Sequence, residues 1–216
     1  MMPRKPVSGP LRDKDRTRAK LIKTVGKIIK NKGFHELKIT KIAQVAGVDK
    51  KLIYEYFGTT ENLINEYLRS EDYGSSIDFV KTDLSDNGKQ FSKMLIKNMY
   101  EALSKNKELQ KIIVWELYEY NEILRKLSEH REELGEQIFQ AAMHPHFKEN
   151  HKKYRAVLAI LISSTYYLNI HATSNGSIFV GFNIKAENDR KVLDEVICDL
   201  IDFAYEKYGI QVRCVA

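Results

Sequence analysis

The 216-residue sequence predicts an all-α protein made of a small N-terminal three-helix unit and a larger helical body. Three observations lead there. Apolar residues recur at i, i+3/i+4 and i+7 along most of the chain, the signature of helices with one buried face. Alternating runs of the kind that build a sheet are absent, apart from one short extended piece at 177–182. Charge divides the chain unevenly: residues 1–60 hold 15 Lys and Arg against 5 Asp and Glu, and the remaining 156 hold 20 against 24. A basic head on a mildly acidic body points to a polyanionic partner, nucleic acid or an anionic membrane.

The elements follow in order. Residues 1–12 lack the apolar core of a secretory signal and are expected to form a flexible basic arm. The first helix carries the stripe Leu21, Ile22, Val25, Ile28 and Ile29 among Lys20, Lys23, Lys27 and Lys30, and stops at Gly33. Thr40 is expected to cap a second helix that ends at Gly47, and Asp49 a third that ends near Gly58. Thr59 or Thr60, with Glu61 in the first turn, opens a fourth through Leu63, Ile64, Tyr67 and Leu68. Residues 73–88 are polar and fit either more helix or a loop.

Further on, Phe91, Leu95, Asn98, Met99 and Ala102 share a helical face. Asn106 caps a helix carrying Ile112, Ile113, Trp115 and Leu117, and Asn121 one striped by Ile123, Leu127, Leu134 and Ile138. His144-Pro145 stops that run, because proline disfavours a helical residue before it. Ala156 to Ile184 contains no Asp, Glu, Lys or Arg in 29 positions, long enough for a bilayer. Ser163, Ser164, Thr165, Asn169 and Thr173 interrupt it, and S-N-G at 174–176 splits it. The expectation is therefore a helix buried on nearly every side. Asn188 or Asp189 caps the last helix, with Val192, Val196, Ile197, Leu200, Ile201 and Ala204 inward.

The most specific spacing lies between Ile42 and Phe57. Two short helices crossing at a steep angle need small residues where they meet, and Ala43 and Ala46 supply them. Their turn needs a residue that tolerates positive φ, which Gly47 provides. Ile53 and Phe57, four residues apart, share one face of the following helix, and Lys50, Lys51 and Tyr54 are expected to stand exposed. Adjacent exposed lysines on such a helix suit a DNA reader, since phosphates supply affinity and major-groove base edges supply sequence information.

The segment LKITKIAQVAGVDKKLIYEYFGTTENL, Leu37 to Leu63, resembles the DNA-binding region of the TetR family of bacterial transcriptional regulators. The resemblance covers residues 13–68 and implies a helix-turn-helix DNA-binding domain at 13–59, with a helical ligand-binding and dimerisation domain at 60–216. It implies that Arg16, Arg18 and Thr40 touch phosphate and that Lys50, Lys51 and Leu52 enter the major groove. The hydroxyls of Tyr54 and Tyr56 would clamp backbone phosphates. Three positions depart from the family pattern: Asp49 replaces a usual serine, Lys51 a frequent glycine, and Thr60 a common phosphate-binding lysine.

For the body the resemblance implies a homodimer joined by the last two long helices, near 156–173 and 189–207. The apolar surface of those helices exceeds what one subunit's core needs, which agrees. A two-fold dimer would read a pseudo-palindromic operator. A small-molecule effector would enter among Phe91, Met94, Asn98, Met99, Trp115, Tyr118, Phe139 and Tyr166. The expected function is thus a homodimeric repressor released by a ligand. An activator or a ligand-independent DNA binder is the near alternative, and a membrane-surface adaptor the remote one.

No G-x-S-x-G, H-E-x-x-H or Gly-rich phosphate loop is present, so no catalytic residue, enzyme activity or cofactor is expected. His144, His146 and His151 have a spacing that suits no common helical metal site. Two cysteines, Cys198 and Cys214, give no disulfide framework, and the expected location is the bacterial cytosol without membrane attachment.

Overall fold

The computed structural model describes residues 10–71, 83–174 and 176–210. The expected arm falls outside these residues up to position 9, and its last three positions already belong to the first helix. Contacts divide the chain into two units, one made of residues 1–72 and 119–127, the other of 73–118 and 128–216.

The first unit contains α1 (Pro10–Lys32), a 3-10 turn at Phe34–Glu36, α2 (Ile39–Ala46), α3 (Lys50–Phe57) and α4 (Thr60–Glu71). Leu21, Val25, Ile28 and Ile29 of α1, with Ile42, Ile53, Leu63 and Leu68 of the following helices, are all at most 2% exposed. These are the stripe positions read from the sequence. Helix α4, grouped with the body at the sequence level, packs here on α1 and α3. The reason is Gly26: a Cβ at that position would lie 2.8 Å from the Tyr67 ring of α4. Only a hydrogen there lets the tyrosine lie flat across α1.

One cap differs from expectation, and another is decided between its two candidates. Helix α2 starts two residues early, with Lys38 as N-cap and no side-chain cap, so Thr40 is an exposed residue of the first turn. The cap of α4 is Thr59, whose Oγ1 accepts the Asn62 N–H at 3.0 Å.

The second unit contains α5 (Lys89–Lys105), α6 (Lys107–Tyr118), most of α7 (Glu122–Ala142), the short α8 (His144–Phe147), α9 (His151–Ser174) and α10 (Glu187–Tyr208). Asn106 and Asn121 cap α6 and α7 as expected, accepting the N–H groups of Leu109 and Ile123 at 2.9 Å. Of the polar stretch at 73–88, residues 73–82 lie outside the described residues and 83–88 form a turn.

The core of this unit is a set of aromatic rings. Phe147 and Tyr154 stack at 4.0 Å, nearly parallel, and Tyr205 meets both edge-on at 4.8 and 5.2 Å. The Tyr205 hydroxyl donates to the Asn87 carbonyl at 3.1 Å and lies 3.3 Å from Ser92 Oγ. Burial raises the Tyr205 pKa to about 12, and pushes that of Tyr154 up as well.

Helix α9 is not buried on every side. Tyr154, Leu161, Thr165, Asn169 and Ala172 face inward, while Ala156, Ala159, Ile160, Ser163 and Tyr167 are exposed. Helix α10 departs in the same way: Ile197, Ile201, Ala204 and Tyr205 are buried, but Val192, Val196, Leu200 and Phe203 stand between 43% and 52% exposed. It begins at Glu187 behind Ala186, with no side-chain cap, and Asp189 instead accepts the Asn183 N–H at 2.7 Å. An 18-residue window within His144–Ser174 reaches a mean hydropathy of 1.2, enough by length and composition for a membrane span, and α9 packs its inner face against α5, α6 and α10.

The extended piece is a hairpin of two short antiparallel strands, β1 (Ile178–Phe179) and β2 (Phe182–Asn183).

Candidate nucleic-acid interface

The interface is built on the α2–α3 corner. Ile42, Ala43 and Ala46 are the buried residues of α2, so its close approach to α3 runs over two alanines. Gly47 then turns the chain with φ 63° and ψ 42°, the left-handed conformation that its neighbour Val48 would resist. The Val48 N–H reaches back to the Ala43 carbonyl at 3.1 Å and completes the C-cap.

Asp49 opens α3 by accepting the Lys51 N–H at 2.8 Å. Its carboxylate thus satisfies an orphan donor of the helix terminus, which explains why an acid is tolerated on a basic surface. Helix α3 has only two buried residues, Ile53 and Phe57, and they anchor it. Lys50, Lys51 and Tyr54 are exposed to solvent, with Leu52 and Tyr56 half-buried. The end of α3 is secured by a residue that periodicity did not single out: Asn62 Nδ2 donates to the Phe57 carbonyl at 2.8 Å.

Helix α1 adds cations beside this corner. Lys14 Nζ sits 5.4 Å from the Tyr56 ring centroid. A Cβ at Gly47 would lie 3.9 Å from the Lys20 ammonium. Arg16 is exposed. Arg18 is placed differently: its guanidinium pairs with Glu66 and lies 5.1 Å from the Phe57 ring centroid, an internal bond between α1, α3 and α4. The eight residues named from the sequence therefore split, with Thr40, Lys50, Lys51, Tyr54 and Arg16 exposed, Leu52 and Tyr56 at the rim, and Arg18 engaged inside the unit.

The eight effector-pocket residues do not converge. Phe91 and Phe139 are buried in the aromatic core, and Tyr166 packs against a separate cluster of Leu103, Leu109 and Ile113. Met94 and Tyr118 are 45% and 86% exposed, Asn98 is exposed too, and Met99 and Trp115 are half-buried. Glu116 is held by Arg131. The histidines also separate: His144 and His151 rings approach to 5.2 Å while His146 stacks on Tyr205 at 5.0 Å. No group of three or more His, Cys, Asp or Glu placed to hold a metal occurs among the described residues.

Residues 26–67 match the sequence profile of the bacterial regulatory proteins of the tetR family. No curated protein matches the chain significantly. Among solved structures, the transcriptional regulator FadR from Bacillus subtilis, in complex with stearoyl-CoA, aligns at 16% identity and a TM-score of 0.57, over 85% of this chain and 96% of its own. The multidrug binding protein EbrR, complexed with imidazole, aligns at 19% identity and TM-score 0.56, over 93% and 97%. NalD, the secondary repressor of the MexAB-OprM multidrug efflux pump in Pseudomonas aeruginosa, aligns at 16% identity and TM-score 0.54, over 93% and 99%. These similarities extend the shared all-helical fold over the whole body. The helix-turn-helix thus carries the profile of the tetR family of bacterial regulatory proteins, and the body shares the all-helical fold of these regulators.

Proposed function

We propose that this regulator is a homodimeric repressor that occupies a pseudo-palindromic operator and leaves it when a small molecule binds the body. The observation that carries the reading is the division of α3, where Ile53 and Phe57 hold the helix and Lys50, Lys51 and Tyr54 are left exposed. In this reading Lys50, Lys51 and Leu52 enter the major groove. Thr40, Arg16 and the two tyrosine hydroxyls contact phosphate on either side.

Dimerisation through α9 and α10 is supported by their exposed apolar residues. Ile160 and Tyr167 on one helix and Val192, Val196, Leu200 and Phe203 on the other stand from 43% to 66% exposed. Packed against a two-fold copy, the pair would bury this surface as a four-helix bundle. Such a dimer presents two α3 helices to successive major grooves.

Release by a ligand is supported by the relatives solved with stearoyl-CoA and with imidazole. Within the body, the Tyr100 hydroxyl is buried without a hydrogen-bond partner, on a residue whose carbonyl accepts from the buried Asn169. A ligand that supplied the missing acceptor there would gain from a cost already present in the free protein. The protein would act in the bacterial cytosol.

Selecting bound fragments from the source genome and measuring their affinity by fluorescence anisotropy tests the proposal. The expected result is enrichment of an inverted repeat bound by two chains. Failure to enrich any fragment at physiological salt would reject the operator, and enrichment of a single half-site would reject the two-fold arrangement.

A further inference from the structure

The hairpin between α9 and α10 concentrates apolar side chains at the surface. Ile178 is 66% exposed, Val180 81% and Phe182 40%, all within five residues. An apolar tip of this kind on a monomer would invite aggregation, and no charge within Ala156–Ile184 guards it.

The hairpin is nonetheless held firmly. Its strands pair Ile178 with Asn183 and Phe179 with Phe182. The Ile184 N–H closes its base on the Ser177 carbonyl at 2.7 Å, and Ile184 itself is buried with Tyr100 and Ala172. His171 Nε2 lies 3.2 Å from the Ile178 carbonyl, and the Phe179 ring meets Tyr167 and His171 at 5.0 and 5.5 Å. What projects is therefore a fixed shape.

Val180 adds an independent observation. It has φ 50°, the left-handed region, and Gly181 follows at φ 79°. A two-residue hairpin turn with both centres left-handed prefers Asn or Asp followed by Gly, because a β-branched residue is strained there. Almost wholly exposed, its side chain gains no burial among the described residues to offset that strain. A strained apolar residue at the tip makes sense where it touches something outside the subunit.

We infer that the Ile178–Asn183 hairpin is a clasp for a second copy of this chain. The inference rests on the α9/α10 dimer proposed above. Tyr167 connects the two surfaces, being both an exposed residue of the α9 face and the ring on which Phe179 packs. The apolar hairpin thereby adjoins the outer face of α9, which carries no Asp, Glu, Lys or Arg from Ala156 onward. A two-fold axis through that surface carries each hairpin tip onto the other subunit's helices, where Ile178 and Val180 are covered.

Sedimentation equilibrium of the full chain tests the clasp with two variants. Val180→Asn relieves the turn and removes the apolar contact, so it is expected to leave or raise the unfolding midpoint of the subunit while weakening the dimer about tenfold or more. A purely structural hairpin would give the opposite pattern, an unchanged or tighter dimer. Leu200→Asp on the α10 face is the reference for the four-helix contact. A dimer broken by Leu200→Asp but indifferent to Val180→Asn overturns the clasp and leaves the four-helix reading standing. A wild-type chain that stays monomeric at micromolar concentration overturns both.

Discussion

Arg18 of α1 lies 5.1 Å from the ring centroid of Phe57, the residue that anchors the recognition helix α3, and is paired with Glu66 of α4. One guanidinium therefore links three helices of the DNA-binding unit. Arg18→Ala is expected to lower the stability of that unit by about 0.5–1 kcal/mol, a modest value because the pair is partly open to solvent. Urea unfolding measures it. A loss of DNA affinity with no change in stability would instead return Arg18 to the phosphate contacts.

Lys50→Ala and Lys51→Ala are expected to reduce the preference for the cognate operator over random duplex by about 1–3 kcal/mol at each lysine that reads a base. A lysine that meets only phosphate loses affinity equally on both sequences and lowers the salt slope by about 1. Titrations at several salt concentrations decide between these for each lysine separately.

Tyr54→Phe removes one hydroxyl from the exposed face of α3 and leaves its anchors untouched. Operator and random duplex should both bind about 1 kcal/mol more weakly, with their ratio preserved. Unchanged affinity for both would take Tyr54 off the contact surface.

Gly26→Ala should destabilise the N-terminal unit although alanine is the better helix former. The added Cβ would stand 2.8 Å from the Tyr67 ring. Overpacking of this kind costs about 1–3 kcal/mol, more than the roughly 1 kcal/mol gained in propensity. Tyr67→Leu in the same chain should recover part of the loss, and thermal unfolding of the single and double variants reads the coupling.

The buried tyrosines predict an alkaline limit for the body. Tyr205 has a native pKa raised to about 12 by burial, against an ordinary value of 10.0, so between these values the unfolded chain has released a proton that the native one retains. Stability is thus unaffected below pH 10 and falls as pH rises toward 12. Tyr205→Phe should flatten the part of that slope that Tyr205 contributes, as followed by denaturant unfolding across the range. An unchanged slope would mean that the hydroxyl ionises freely in the native state.

Much of the fold was legible in the sequence because helices announce themselves locally. The stripe Leu21, Val25, Ile28 and Ile29, the caps Asp49, Asn106 and Asn121, and the Ala43–Ala46–Gly47 corner each depend on residues within a few positions of one another. Part of the exposed surface of α3 was legible for the same reason, since 100° per residue turns Lys51 away from Ile53 and Phe57 and sets Tyr54 at their flank, while Lys50 is exposed as the first residue of the helix.

The sequence alone therefore determined the all-α class, the helix-turn-helix and the two anchors of α3. Tertiary structure decided what depends on residues far apart in the chain. It assigned α4 to the DNA-binding unit through Gly26 and Tyr67, and gave Arg18 an internal partner 48 positions away. It also divided α9 and α10 into one face for their own core and another left exposed. Composition cannot make that last distinction, because an apolar side chain gains as much from a neighbouring subunit as from its own core.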